Sequence, residues 1–201
     1  MLRGCGRGWI GHRDRALLWL LYGLGLRAAE AAAIDVADLE LDHGRLFVRR
    51  PKGLERERSP SSPRTLGLPP AAAEALGAWY SRRLLGLRAE TRAGAPADAL
   101  LLSHRGRRLN VRQVHATVRK LAARACIPHR VHPHQLRHAF AQALYERTRD
   151  VSLVQRALGH RSLATTAVYL SKLPQGDVIE AMRARVGVLV GPRRLLGLEA
   201  R

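Results

Sequence analysis

The stretch Leu158-Gly159-His160-Arg161-Ser162-Leu163-Ala164-Thr165-Thr166-Ala167-Val168-Tyr169 decides the reading of this chain. It closes one short helix, Ser152–Leu158, and contains the next, Ser162–Tyr169. It also sets a histidine, His160, nine residues before a tyrosine, Tyr169. Taken alone, Tyr169 reads as a core tyrosine at helical spacing from Thr165 and Thr166.

Outward from there, Pro133–Arg147 reads as a helix holding His134-Gln135-Leu136-Arg137-His138. Asn110 suits the N-cap of a helix from Val111 to Ala125. Pro69-Pro70 opens a helix from Ala71 to Leu85, proline being tolerated in a first turn. Leu39–Val48 reads as a hairpin turning at His43-Gly44, and Arg64–Leu68 can add a third strand. Asp14–Gly23 reads as a buried helix ended by Gly23 and Gly25, and a second short helix runs from Arg27 to Ala33. Residues 50–63 and 88–98 read as loops, and Leu100–Leu102 as a short apolar segment. The Gly- and Arg-rich residues 1–11 are expected to be a flexible basic segment, and 189–201 a tail. The sum is an α+β, mainly helical fold with a small antiparallel three-stranded sheet and one continuous core within residues 12–188. A further amphipathic helix, 177–186, carries Val178, Ile179, Met182 and Val186 on its apolar side.

Of the 201 residues, 46% are apolar, enough for one domain with a proper core. The 35 Lys and Arg against 16 Asp and Glu leave a formal charge of +19. That excess points to a polyanionic partner, nucleic acid first. The basic residues are spread along the chain, which disfavours a membrane-surface helix. The longest apolar stretch, Ala16–Leu26, is too short to span a bilayer, and no cleavable leader is read at the N-terminus. Cys5 and Cys126 make neither a disulfide framework nor a metal quartet, so a reducing, cytoplasmic setting is expected.

Four segments together resemble the tyrosine recombinase family of phage integrases, Xer-type resolvases and integron integrases. They are Gly23-Leu24-Gly25-Leu26-Arg27-Ala28-Ala29-Glu30, then Lys52, then the 134–138 run, then Leu158-Gly159-His160 followed by Thr165-Thr166 and Tyr169. The resemblance runs from about His12 to Tyr169 and implies that family's catalytic-domain fold. It implies a catalytic set of Arg27, Lys52, His134, Arg137, His160 and Tyr169. It implies a site-specific recombinase that cleaves and rejoins double-stranded DNA through a 3′-phosphotyrosyl intermediate, with no cofactor and no metal. It implies a homo-oligomer, a tetramer on DNA, held by helix 177–186 docking on a neighbour; docking on its own domain is the plainer reading. Most of the family carry a separate N-terminal helical domain. Here about a dozen residues precede the catalytic domain, and its usual first helix is expected to be absent or degraded.

The residue types suit the chemistry without the family. Attack on a phosphodiester builds charge on the non-bridging oxygens, which guanidinium forks bind in bidentate fashion. Two arginines, Arg27 and Arg137, could clamp both sides. A free tyrosine has a pKa of about 10, and neighbouring cations favour its phenolate. A flexible lysine can protonate the leaving alkoxide. Each residue also has a bland reading: Arg27 as a surface arginine, His138 as a buried hydrogen-bonder, His132 as solvated. Lys52 competes with Arg49, Arg50, Arg56 and Arg58. Glu30, one turn from Arg27, can orient it. His134 and His138 have the spacing of a zinc pair, but Gln135 stands where a zinc protease needs Glu. Two other functions use the same residues: a type IB topoisomerase-like cut-and-reseal enzyme, and a DNA-binding relative that has lost catalysis.

Overall fold

The alternation in Arg45-Leu46-Phe47-Val48 sends Leu46 and Val48 inward and leaves Arg45 and Phe47 exposed. In the computed structural model, which describes residues 1–49, 62–89 and 98–160, this strand is the centre of the sheet. β1 is Leu39–Glu40, β2 is Arg45–Val48 and β3 is Arg64–Gly67. They pair antiparallel in the order β1-β2-β3, with Leu46 opposite both Leu39 and Leu66, and Val48 opposite Arg64. Lys52, Tyr169, the expected helices 162–169 and 177–186, and the tail lie outside the described residues.

The helices are α1 (Trp9–Leu18), α2 (Ala28–Ala33), α3 (Pro70–Ala89), α4 (Val111–Arg124), α5 (Pro133–Thr148) and α6 (Val151–Leu158). α1 widens into a π-helical turn over Trp19–Gly23. The main core joins α1, α2, α3, α4 and the sheet around the fully buried run Ala99–Leu102. Trp79 and Arg83 of α3 clamp that run, donating to the carbonyls of Leu100 at 2.8 Å and Ala99 at 2.9 Å. A smaller cluster, Ala141, Val154 and Leu158, joins α5 to α6. As expected, Asn110 caps α4: it accepts from the Gln113 amide at 2.9 Å, and Gln113 reciprocates at 3.0 Å.

Two readings shift. α1 begins at Trp9 rather than Asp14, and the first residues pack instead of lying loose. Cys5 is buried and the Trp9 ring meets Trp79 edge-on at 4.8 Å. Cys5 and Trp9 supply apolar anchors that the Gly- and Arg-rich composition concealed. α3 also runs to Ala89, past the expected end at Leu85.

Beneath α1 lies a buried ionic cluster. Asp14 accepts from its neighbour Arg13 and from Lys120 Nζ at 2.8 Å, and Arg13 Nη1 donates to the Leu102 carbonyl at 3.1 Å. Among the described residues, no helix is long and apolar enough to cross a membrane.

Candidate active site

Three helix ends meet at one place. Arg27 is the N-cap of α2, where its own amide donates to Glu30 Oε2 at 2.8 Å. That bond fixes Glu30 in the first turn, at 2% exposure. His132 caps α5, with Pro133 at the first helical position. Gln135 Oε1 accepts from the His132 amide at 2.8 Å, so Gln135 serves the helix end. This cap turns His134 outward and Arg137, one turn on, inward.

α6 ends in a Schellman turn. Gly159 is left-handed, at φ 67°, and the His160 amide donates back to the Gln155 carbonyl at 3.1 Å. That turn sends the His160 ring toward Arg137. Arg137 Nη2 lies 3.1 Å from His160 Nε2 and 2.8 Å from the Leu158 carbonyl. Arg137 Nη1 donates to the Gly25 carbonyl at 2.7 Å and to Glu30 Oε2 at 3.4 Å.

Arginine is always a donor, so His160 Nε2 must offer its lone pair and Nδ1 carries the proton of the neutral ring. Electrostatics agree. Burial, then the guanidinium groups of Arg137, Arg27 and Arg64, push the His160 pKa down to about 3. Glu30 opposes this only in part.

Arg27, His134 and Arg137 line one concavity of about 220 Å³, together with His115, Val111 and Pro133. Arg27 Nη1 sits 3.7 Å from Glu30 Oε1, is buried, and makes no hydrogen bond among the described residues. A buried guanidinium N–H with an unused hydrogen has a use for an anion. The His134 and His138 rings touch edge-on, with centroids 4.4 Å apart. His138 is half-buried rather than buried. Among the described residues, no group of three His, Cys, Asp or Glu is placed to hold a metal.

Two neighbours of the site went unread in the sequence. Arg64 grips both oxygens of Glu30, at 2.9 and 3.1 Å. Its signal was the inward register it shares with Leu66, two residues on. His115 lies one turn into α4 from Val111, and that spacing alone puts both on one side of the helix.

The fold belongs to a known class. The chain matches the phage integrase family over residues 5–175 and is a member of it. Among its relatives are proteins named tyrosine recombinase XerC. That of Azotobacter vinelandii is 41% identical over 162 residues, covering 80% of this chain and 48% of the relative. That of Chromohalobacter salexigens is 39% identical over 157 residues, covering 78% and 47%. The chain thus spans about half the length of the curated relatives it matches. The crystal structure of XerA recombinase superposes with a TM-score of 0.71 at 26% identity, covering 87% of this chain and 58% of that one. XerH recombinase bound to its difH substrate has a TM-score of 0.65 at 23% identity, which speaks to the fold alone; it covers 89% of this chain and 49% of that one.

Proposed function

We propose that this chain carries the catalytic centre of a site-specific DNA recombinase and works on double-stranded DNA. The observation that carries the reading is the concavity where Arg27, His134 and Arg137 meet, with the buried Nη1 of Arg27 making no hydrogen bond among the described residues. A phosphodiester seated there meets a preorganised positive field, the main term in phosphoryl transfer. Arg27 binds a non-bridging oxygen through its spare N–H. Arg137, held by the Gly25 and Leu158 carbonyls, supplies fixed charge beside it. Neutral His160 orients Arg137, and His134 lines the same wall. The Tyr169 phenolate oxygen attacks phosphorus, and the bond from phosphorus to the 5′-oxygen breaks. Lys52 protonates the departing 5′-oxygen. The 3′-phosphotyrosyl link keeps the bond energy, so the reverse attack reseals the strand without ATP. A tetramer on DNA, with helix 177–186 of one copy docked on its neighbour, would pair the strands for exchange.

The test uses a pool of nicked duplexes with a randomised core, incubated with the full chain and resolved on a denaturing gel. Wild type should give a slow covalent band, and sequencing of the trapped DNA should return the preferred site. Tyr169→Phe should give no band, while binding DNA as before. A band from Tyr169→Phe removes the nucleophile assignment. Lys52→Ala should regain cleavage on a 5′-bridging phosphorothiolate, whose sulfur leaves without a proton. On the selected site, strand exchange distinguishes a recombinase from a topoisomerase-like enzyme, which would only relax and reseal.

A further inference from the structure

Arg64 stands on the inward face of β3, opposite Val48, with its side chain 7% exposed. A guanidinium is costly to bury unless its donors find acceptors. Arg64 meets the condition by reaching two other elements at once. Nη1 and Nη2 take the two oxygens of Glu30 on α2, at 2.9 and 3.1 Å. Nε donates to the Ala157 carbonyl at the end of α6, at 2.7 Å. It packs so tightly there that a Cβ on Gly159 would lie 2.8 Å from Nη1. Ser62, two residues earlier, donates its amide to the Gly159 carbonyl at 3.0 Å.

The same Glu30 oxygens serve the other arginines. Oε2 receives the Arg27 amide and Arg137 Nη1, and Oε1 faces Arg27 Nη1. We propose that Arg64 is a positioning residue of the cleavage centre: its fork fixes the plane of Glu30, and through it Arg27 and Arg137, while its Nε holds the α6 turn that presents His160. This rests on the reading of the concavity as a phosphate site. A paired fork and carboxylate lock each other's planes, which a point charge cannot do. Lysine would keep the charge and lose the fork, so Arg64→Lys separates geometry from charge.

The experiment compares wild type, Arg64→Lys and Arg64→Met in the full chain, with two readouts. The first is single-turnover cleavage, at saturating DNA, of the sequence that wild type selects from the random pool. Both variants should cleave about 10- to 100-fold more slowly, since small misplacements at a reacting centre carry such effects. Their DNA affinity should stay within about twofold of wild type. The second is the NMR titration of the His160 ring without DNA. Arg64→Met should protonate at higher pH than wild type, because a positive neighbour is gone and the turn is no longer held. Wild-type cleavage by the folded variants overturns the proposal, even if they melt earlier, because Arg64 is then only a fold anchor. A loss of affinity with an unchanged saturated rate also overturns it, making Arg64 a DNA contact. If wild type traps no sequence at all, the cleavage reading fails, and the titration decides alone: an unmoved His160 overturns the positioning role. If Arg64→Met does not fold, Arg64→Lys carries both readouts.

Discussion

Three carboxylates are buried among the described residues, Asp14, Glu30 and Asp38, and the company of the first two differs. Asp14, 1% exposed, gathers Arg13 and Lys120. Arg13 turns its remaining donor onto a core carbonyl, and Lys120 leans into solvent with 39% of its side chain exposed. Glu30, 2% exposed, gathers Arg27, Arg64 and Arg137. Two of these guanidinium groups are themselves almost fully buried, and a buried N–H of Arg27 makes no hydrogen bond among the described residues. The first cluster ties α1 to α4 and to the Leu102 backbone. Among the described residues, the second sets three guanidinium groups around one carboxylate, on the wall of a concavity. A buried ion pair by itself says little about function. A buried surplus of one sign with a donor that makes no hydrogen bond among the described residues is what supports the proposed phosphate site.

The hardest break of that comparison is Glu30→Gln against Asp14→Asn. Both keep shape and remove charge, and each should lose about 3–5 kcal/mol in urea unfolding. Only Glu30→Gln should also slow single-turnover cleavage by the folded protein, by about 100-fold or more. Equal slowing by Asp14→Asn would make the two clusters alike in kind.

Next is Gly159→Ala. A left-handed alanine costs about 1–2 kcal/mol, and the added Cβ would press on Arg64. Gly44 has a similar φ of 59° with open space around it, so Gly44→Ala isolates the strain. Thermal melts should show the larger loss at Gly159, and only that variant should slow cleavage.

pH sharpens the contrast further. His160 titrates at about 3 in the folded chain against an ordinary 6.5. Between those values the unfolded chain holds a proton that the native chain refuses. Stability is therefore full above pH 6.5 and falls as pH drops toward 3. From pH 7.5 to 5 the loss should be about 2 kcal/mol, read from the urea midpoint. His160→Asn should flatten that interval, and nothing in the Asp14 cluster should affect it.

The smallest effect belongs to Lys120→Met. A half-exposed pair contributes about 0.5–1 kcal/mol and is screened by salt. The difference from wild type should shrink as salt rises.

Much of this domain was legible in the chain. Asn110 marked the start of α4, the hairpin turn at His43-Gly44 marked β1 and β2, and the glycines around Leu24 marked the end of the first helix. Arg27 and Glu30 were legible as a pair because their three-residue spacing is local. Arg64 was not, because its partners lie on α2 and α6, and only the β2–β3 register turns it inward. Arg137 was singled out, but not its mode of burial, with donors anchored on two backbone carbonyls from distant turns. Trp9 and Cys5 were hidden by the glycines and arginines around them. Local patterns are written in neighbouring residues; buried charge is written in tertiary contacts.

The Glu30 centre also has a place in time. Glu30 and Arg137 are 107 residues apart in sequence, and Arg64 and Ala157 are 93 apart. Closing such long loops is entropically slow, so contacts of this range form late in folding. In chain order Arg27 and Glu30 are made first as a local pair, Arg64 follows with the third strand, and Arg137 comes later with α5. The Glu30 centre is therefore complete only once both long loops have closed, and an unfinished chain carries its charges without the concavity that gathers them.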